Sequence, residues 1–214
     1  MSNFNSGHRG FFENMGYSLM GVNLTNAAVN TLWVLTHSSV KEATAFQVSE
    51  QMVSFSFEWK GRRIFFSVVY GLNRHQVRRN LWRDIGDLKD TLDGPWILIG
   101  DFNVIMYMDE KIGSAHSPIA SQEFRECVDG NDLLEDNLVG EKYTWYCRHE
   151  TKMSASNLDR AFVNAYALDS FESESSITLP RYNSDHHPIS FSLIEGKDMY
   201  PRPFRLNNAW LKDF

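Results

Sequence analysis

Cysteine is scarce in this chain of 214 residues, which has two, Cys127 and Cys147. Two thiols build neither a disulfide framework nor a four-ligand zinc site, and they read as free thiols of a reducing compartment. Long apolar runs are missing as well. No window reaches the length of a membrane-spanning helix, and the opening "MSNFNSGHRGFFENMGYSL" lacks a signal-peptide layout. "NLT" at 23–25 matches a glycosylation sequon, but without a secretory signal the match is chance. Positive charge is also short: 21 Lys and Arg stand against 27 Asp and Glu, for a formal charge of -6. A protein that only coats nucleic acid would be basic. A catalyst need not be, because its carboxylates can recruit a metal that meets the phosphate charge. Internal repeats, low-complexity tracts and a clear linker are absent.

What is present is core material, with 43% hydrophobic and 14% aromatic residues. The expectation is one α/β domain over residues 1–195 and an irregular C-terminal tail over 196–214. "TLWVLT" (31–36) is β-rich. "TAFQVSEQMVSFSFE" (44–58) alternates polar and apolar as a half-buried strand does, and after the turn "GRR", "IFFSVVYG" (64–71) completes a hairpin. In 75–92, Val77, Leu81, Trp82, Ile85 and Leu88 recur at helical spacing, and "DGP" (93–95) ends the helix ahead of the strand "WILIG". A second helix lies within 117–136, with Ser121 as its cap and Gly130 as its stop. Strands follow at 142–148, 157–164, 175–180 and 187–194. Strands dominate, with helices between some of them, so packed sheets are expected.

Polar residues cluster at strand ends: Tyr70 and Asn73, Asp101 and Asn103, Thr144, Asp159, then Ser184, Asp185 and His186. Polar groups at several strand termini commonly build one site on a rigid scaffold. In "WILIGDFNVIM" the apolar strand is expected to run on past Gly100, so that Asp101 and Asn103, two apart in extended chain, face the same way. Hydrolysing a phosphodiester needs a base for the water, a group for the leaving oxygen and positive charge against the phosphate. A His held by an Asp suits the first, with an ordinary pKa of about 6.5, and either Asp159 or Asp185 is placed to orient His186. Asp101 and Asp185 suit Mg²⁺, which takes hard oxygen ligands. Asn73, Asn103 and Tyr70 can donate hydrogen bonds to phosphate oxygens.

Blander readings apply to several neighbours. Asp159 before Arg160 is also the pattern of a surface ion pair. His187 reads as structural or exposed. "NRHQVRR" (73–79) is as well explained by a solvated helix start as by DNA contact. Trp33, Trp59, Trp82, Trp96 and Trp145 read mostly as core, and Asp109, Glu110 and Lys111 as a polar loop.

Together, "GDFNVIM", "LDRAFVN" and "SDHHPISF", preceded by "VVYGLN", resemble the endonuclease/exonuclease/phosphatase superfamily, which includes deoxyribonuclease I and apurinic/apyrimidinic endonucleases. The runs "SVVYG", "GDFN", "YTW", "LDRAFVN", "SDHHPI" and "PFRLNNAWL", spread over roughly residues 31–211, look closest to the endonuclease domain of plant LINE-type retrotransposons. The resemblance implies a four-layered α/β sandwich, two packed sheets flanked by helices, and Mg²⁺-dependent nicking of DNA by a nuclear, monomeric protein with no membrane attachment. It implies these roles: Tyr70 and Asn73 contact phosphate, Asp101 protonates or positions the leaving group, and Asn103 sits beside the attacking water. Asp159 orients the catalytic His186, Asp185 belongs to the metal site, and Thr144 lies near the substrate phosphate. One departure matters. The family's opening "W-N-x-R-G" and "E-T-K/R" runs, which carry a first-strand Asn and the principal Mg²⁺-binding Glu, have no counterpart, and Glu13 in "FFENMGY" is not that motif. The expectation is a chain truncated at its N-terminus, missing its first strands, with weak or absent nuclease activity and reduced stability. The alternatives are a binding domain without catalysis and a phosphatase or phosphodiesterase of the same superfamily.

Overall fold

The protein is described from a computed structural model, over residues 6–23, 31–113, 116–136, 138–149 and 152–194. The expected tail at 196–214 lies outside the described residues. In chain order the elements are α1 (Ser6–Asn14), β1 (Tyr17–Val22), β2 (Trp33–His37), β3 (Thr44–Val48), β4 (Met52–Trp59) and β5 (Arg62–Tyr70). Then come α2 (His75–Lys89), β6 (Trp96–Asp101), a 3-10 turn (Met108–Glu110), β7 (Lys111–Ile112), α3 (Pro118–Gly130) and β8 (Leu134–Glu135). The chain continues through β9 (Trp145–His149), β10 (Lys152–Ser156), β11 (Asp159–Val163), α4 (Ala165–Ser170), β12 (Glu172–Thr178) and β13 (Ile189–Ile194). Among the described residues no helix is long and apolar enough to cross a membrane.

A six-stranded sheet ordered β3-β4-β5-β6-β11-β8 forms the centre. The expected hairpin is there as β4–β5, closed by Lys60 and Gly61 in the left-handed region at φ 50° and 77°. The crossover from β5 through α2 to a parallel β6 explains why "WILIG" is apolar throughout, since both its faces are covered. On one face lie α2 and α3, with Leu81, Ile85, Phe124 and Val128 packed against Leu98, Phe102 and Phe162. On the other face the second layer comes as two separate two-stranded sheets, β1–β2 and β12–β13. Val34 of the first, with Leu32 just before β2, covers Val53 and Phe55, while Phe191 and Leu193 of the second cover Ile64 and Ile97. Outside the first, α1 packs on β1, its His8 ring 5.6 Å from Trp33. Helices, sheet, sheet and helix make four layers, as the fold class expected.

Several local readings are corrected. The span 44–58 is two antiparallel strands, reversed at Ser49–Gln51. Alternation survives a reversal when both strands bury the same face, so the pattern hides the turn. The cap of α3 is Ser117, whose hydroxyl accepts from the Ala120 N–H, with Pro118 next. Ser121 sits inside the helix. The loop reading of Asp109–Lys111 misses a buried junction: Glu110 accepts the Met106 and Tyr107 N–H groups and pairs with Arg160, whose other arm reaches Glu135 at 2.5 Å. Arg160 is 1% exposed, so it is not the partner of Asp159 in a surface ion pair.

Candidate active site

The site begins with strand register. Tyr70 and Asp101 are neighbours across the parallel pair β5–β6, and Asp159 stands opposite Asp101 across the antiparallel pair β6–β11. Three polar side chains from distant parts of the chain therefore share one row at one face of the sheet. Two glycines let the strand ends close. A Cβ on Gly100, at φ +145°, would meet the Val69 carbonyl at 2.1 Å. One on Gly71 would meet the Phe102 carbonyl at 2.5 Å. With that space empty, the Gly71 N–H donates to the Asp101 carbonyl at 2.7 Å.

Asn103 lies beside Asp101, but not by the expected alternation. The strand ends at Asp101 and Asn103 turns into the left-handed region, φ 53°. Its N–H donates to Asp101 Oδ1 at 2.8 Å, and its amide donates to Asp101 Oδ2 at 3.2 Å and to the Gly71 carbonyl at 2.8 Å. A local Asx-type turn, a conformation Asn tolerates, joins the pair. Buried Arg78 of α2 clamps the same turn, donating to the Leu72 and Asn103 carbonyls at 2.6 and 3.0 Å. Residue 78 of the basic "NRHQVRR" run is thus a buried structural cation, while Arg79 on the surface pairs with Glu123.

His186 comes from the loop before β13. That loop is pinned to the start of β9: the Tyr146 N–H donates to the Asp185 carbonyl at 2.9 Å and the His187 N–H to the Thr144 carbonyl at 2.7 Å. Trp145 and His186 form a β-bridge, and Ser184 Oγ accepts the His186 N–H at 3.0 Å. His187 is structural, its ring on the Leu179 carbonyl. The placement of Thr144 is corrected. It is fully buried, and its hydroxyl accepts the Leu158 and Asp159 N–H groups, both at 2.9 Å. It holds the backbone under Asp159 and does not reach the cleft.

The His186 ring then meets two carboxylates. Nδ1 lies 2.8 Å from Asp159 Oδ2, and Nε2 lies 4.0 Å from Asp101 Oδ2. An ionised carboxylate only accepts, so Nδ1 carries the proton and the Nε2 lone pair faces the cleft. Of the two carboxylates the sequence left open as orienter, Asp159 makes the bond. The hydrogen bond to Asp159 raises the His186 pKa above its ordinary value, more than burial lowers it. Burial, then the like charge of Asp159, pushes Asp101 up to about 7. Tyr70 is raised by burial, with Asp101 and Asp185 adding to it.

Seven of the eight expected residues, Tyr70, Asn73, Asp101, Asn103, Asp159, Asp185 and His186, line one cavity of about 710 Å³. Within it, ligand atoms of Asp101, Asp159 and His186 lie within 4.8 Å of one another. Asp185, the residue expected at the metal, is outside that group; it is exposed, and its Oδ2 accepts from Trp145 Nε1 at 2.9 Å. The donor set still fits a hard cation. Three carboxylates, those of Asp101, Asp159 and Asp185, face one cavity and offer hard oxygen ligands.

Sequence reasoning passed over Lys111 and Trp145, which also line this cavity. Lys111 was hidden in a polar run. Trp145 had one signal, its place one residue after Thr144 at the mouth of a strand, but a lone Trp is more often core.

No protein-family model matches the chain, and no curated protein does. Solved structures do match. The endonuclease domain of TRAS1, a telomere-specific non-LTR retrotransposon, superposes with a TM-score of 0.68 at 14% identity, over 85% of this chain and 82% of that one. A variant of the 3′ phosphatase NExo from Neisseria, bound to a product DNA hairpin, gives 0.69 at 14% identity, over 90% and 85%. Zebrafish (D. rerio) TDP2, complexed with a single-strand DNA product, gives 0.54 at 11%, over 87% and 81%. The chain has the deoxyribonuclease I-like fold of the endonuclease/exonuclease/phosphatase proteins.

Proposed function

We propose that this protein hydrolyses phosphodiester bonds in DNA, slowly and with a divalent cation, as a nicking domain of retroelement type. The observation that carries this reading is the Asp159–His186 pair, 2.8 Å apart, aimed at a buried Asp101 in one open cleft. His186 takes a proton from the attacking water at Nε2, and Asp159 steadies the imidazolium that results. Asn103, fixed by Asp101 and Gly71, orients that water. Asp101, about half protonated near neutral pH, gives its proton to the leaving oxygen from the protonated form. Tyr70 and Asn73 donate to the non-bridging oxygens. A divalent ion, Mg²⁺ by the resemblance, held by Asp185, would supply positive charge against the phosphate as a Lewis acid. One exposed carboxylate already engaged by Trp145 holds such an ion weakly, so turnover is slow and needs high metal concentration.

The test is nicking of supercoiled plasmid in Mg²⁺. Wild type should nick, and His186→Ala should lose on the order of 10²–10⁴-fold in rate. Equal nicking by both proteins would remove His186 from the chemistry. DNA binding with no nicking by either would favour the binding-domain alternative.

A further inference from the structure

Beside the acidic cleft is a second cavity of about 290 Å³, walled by the first turns of α2 and α3. The two share Asn73, Asn103, Lys111, Ser156 and Leu158, so they open into each other. Their charges are opposite. Asp101, Asp159 and Asp185 line the cleft. Among the described residues the second cavity is lined by Arg74, Arg78 and Lys111, with His75 and His116, and by no carboxylate. The nearest acid in α3, Glu123, does not line it; its Oε1 pairs with Arg79 at 2.5 Å, and its Oε2 lies 3.9 Å from His75 Nδ1. Both helices turn their N-termini to this space, and the Arg74 side chain leaves α2 uncapped.

The second, independent feature is Ser121. It lines the cavity from the first turn of α3 and is 3% exposed, and its hydroxyl has no hydrogen-bond partner. A buried hydroxyl without a partner is costly, and this one sits where an acceptor oxygen would satisfy it. Arg78 adds fixed charge, its Nη1 already bonded to the Leu72 and Asn103 carbonyls.

We infer that this cavity is an anion subsite that takes a backbone phosphate of a nucleic-acid strand, next to the phosphodiester held in the acidic cleft. The nucleic-acid assignment rests on the function proposed above; the anion subsite does not. Inorganic phosphate is the first probe. At constant ionic strength and in EDTA it should raise the Tm of wild type by about 2–4 °C at saturation. The shift should persist in His186→Ala and vanish in Ser121→Ala/Arg74→Gln, with Arg74→Gln alone, at an exposed position, showing a partial loss. No shift in wild type, or a full shift in the double variant, overturns the subsite. The second probe is a fluorescein-labelled 12-nucleotide DNA, with the same sequence as RNA in parallel, read by anisotropy in EDTA. The double variant should bind roughly tenfold more weakly, with a shallower salt dependence. A lost phosphate shift with unchanged oligonucleotide affinity overturns the nucleic-acid assignment while the subsite stands. Affinity falling for only one of the two strands tells which sugar the site accepts. Plasmid nicking by His186→Ala tests the proposed function separately, since that variant keeps this cavity intact.

Discussion

The two faces of the central sheet are built from the same strands and differ in how completely they exclude water. Toward α2 and α3, Phe65, Ser67, Val69, Trp96 and Leu98 are buried, and Phe102, Phe124 and Phe162 interlock at ring distances of 5.1 to 5.8 Å with all three fully buried. Polar groups between the strands pair with one another: Ser54 and Ser67 hydroxyls meet at 2.7 Å, and Trp96 Nε1 donates to Ser67 at 2.9 Å. On the other face Val53, Ile64 and Ile97 are fully buried as well, but Phe57, Phe66, Val68 and Tyr70 remain half-buried under two separate hairpins. Asp101 follows Tyr70 onto this looser face. One face supplies rigidity, and the other, at the strand ends, leaves room for a substrate beside side chains whose backbone the first face has fixed.

The contrast can be broken most directly in the core. Phe162→Ala should cost about 3–5 kcal/mol of stability, the range for deleting a fully buried ring. Phe66→Ala, half-buried although stacked between Phe55 and Phe57, should cost under about 2 kcal/mol. Denaturant titration of both variants decides, and equal losses would mean the faces do not differ.

A second effect sharpens the contrast at the strand ends. Asp101 ionises at about 7 in the folded protein against an ordinary 3.8. Between those values the folded protein binds a proton that the unfolded chain has released, so stability falls as pH climbs from about 4 to about 7. Asp101→Asn lacks that fall. It should be more stable than wild type at pH 8, by up to about 4 kcal/mol, and nearly equal at pH 4. Parallel pH dependence in the two proteins would move the burden away from Asp101.

The smallest effect concerns His186. Its folded pKa is raised, chiefly by the bond to Asp159, so the stability from that pair is complete below about pH 6.5 and fades as pH rises through the folded value. In Asp159→Asn the pKa should drop, read from the imidazole resonances by NMR. An unmoved pKa would assign the elevation to Asp101 and Asp185 instead.

Much of this was legible in the chain. Periodicity located α2 and the strand β5 because each buries a consistent face, and unbroken apolar or β-rich runs located β6, β11 and β13. It missed α4 and β10, which are short and carry weak patterns, and the reversal between β3 and β4. The site residues were legible as a set of polar strand ends. The errors came where side-chain direction depends on local backbone. Asn103 is beside Asp101 through a left-handed turn, and Thr144 points into the protein, where two backbone N–H groups need an acceptor. The Glu110–Arg160–Glu135 junction looked like an ordinary polar loop, since nothing in "MDEK" says that a cation from β11 will be buried there.

The sequence by itself determined which residues are apolar in alternation and which polar groups end the strands, because these follow from local periodicity and side-chain chemistry. Tertiary structure alone decided that Asp159 stands across from Asp101, that His186 bonds one of them and faces the other, and that Ser121 is buried without a partner beside a cationic cavity. Proximity, burial and the pKa shifts they cause are properties of the folded arrangement, since each depends on groups far apart along the chain.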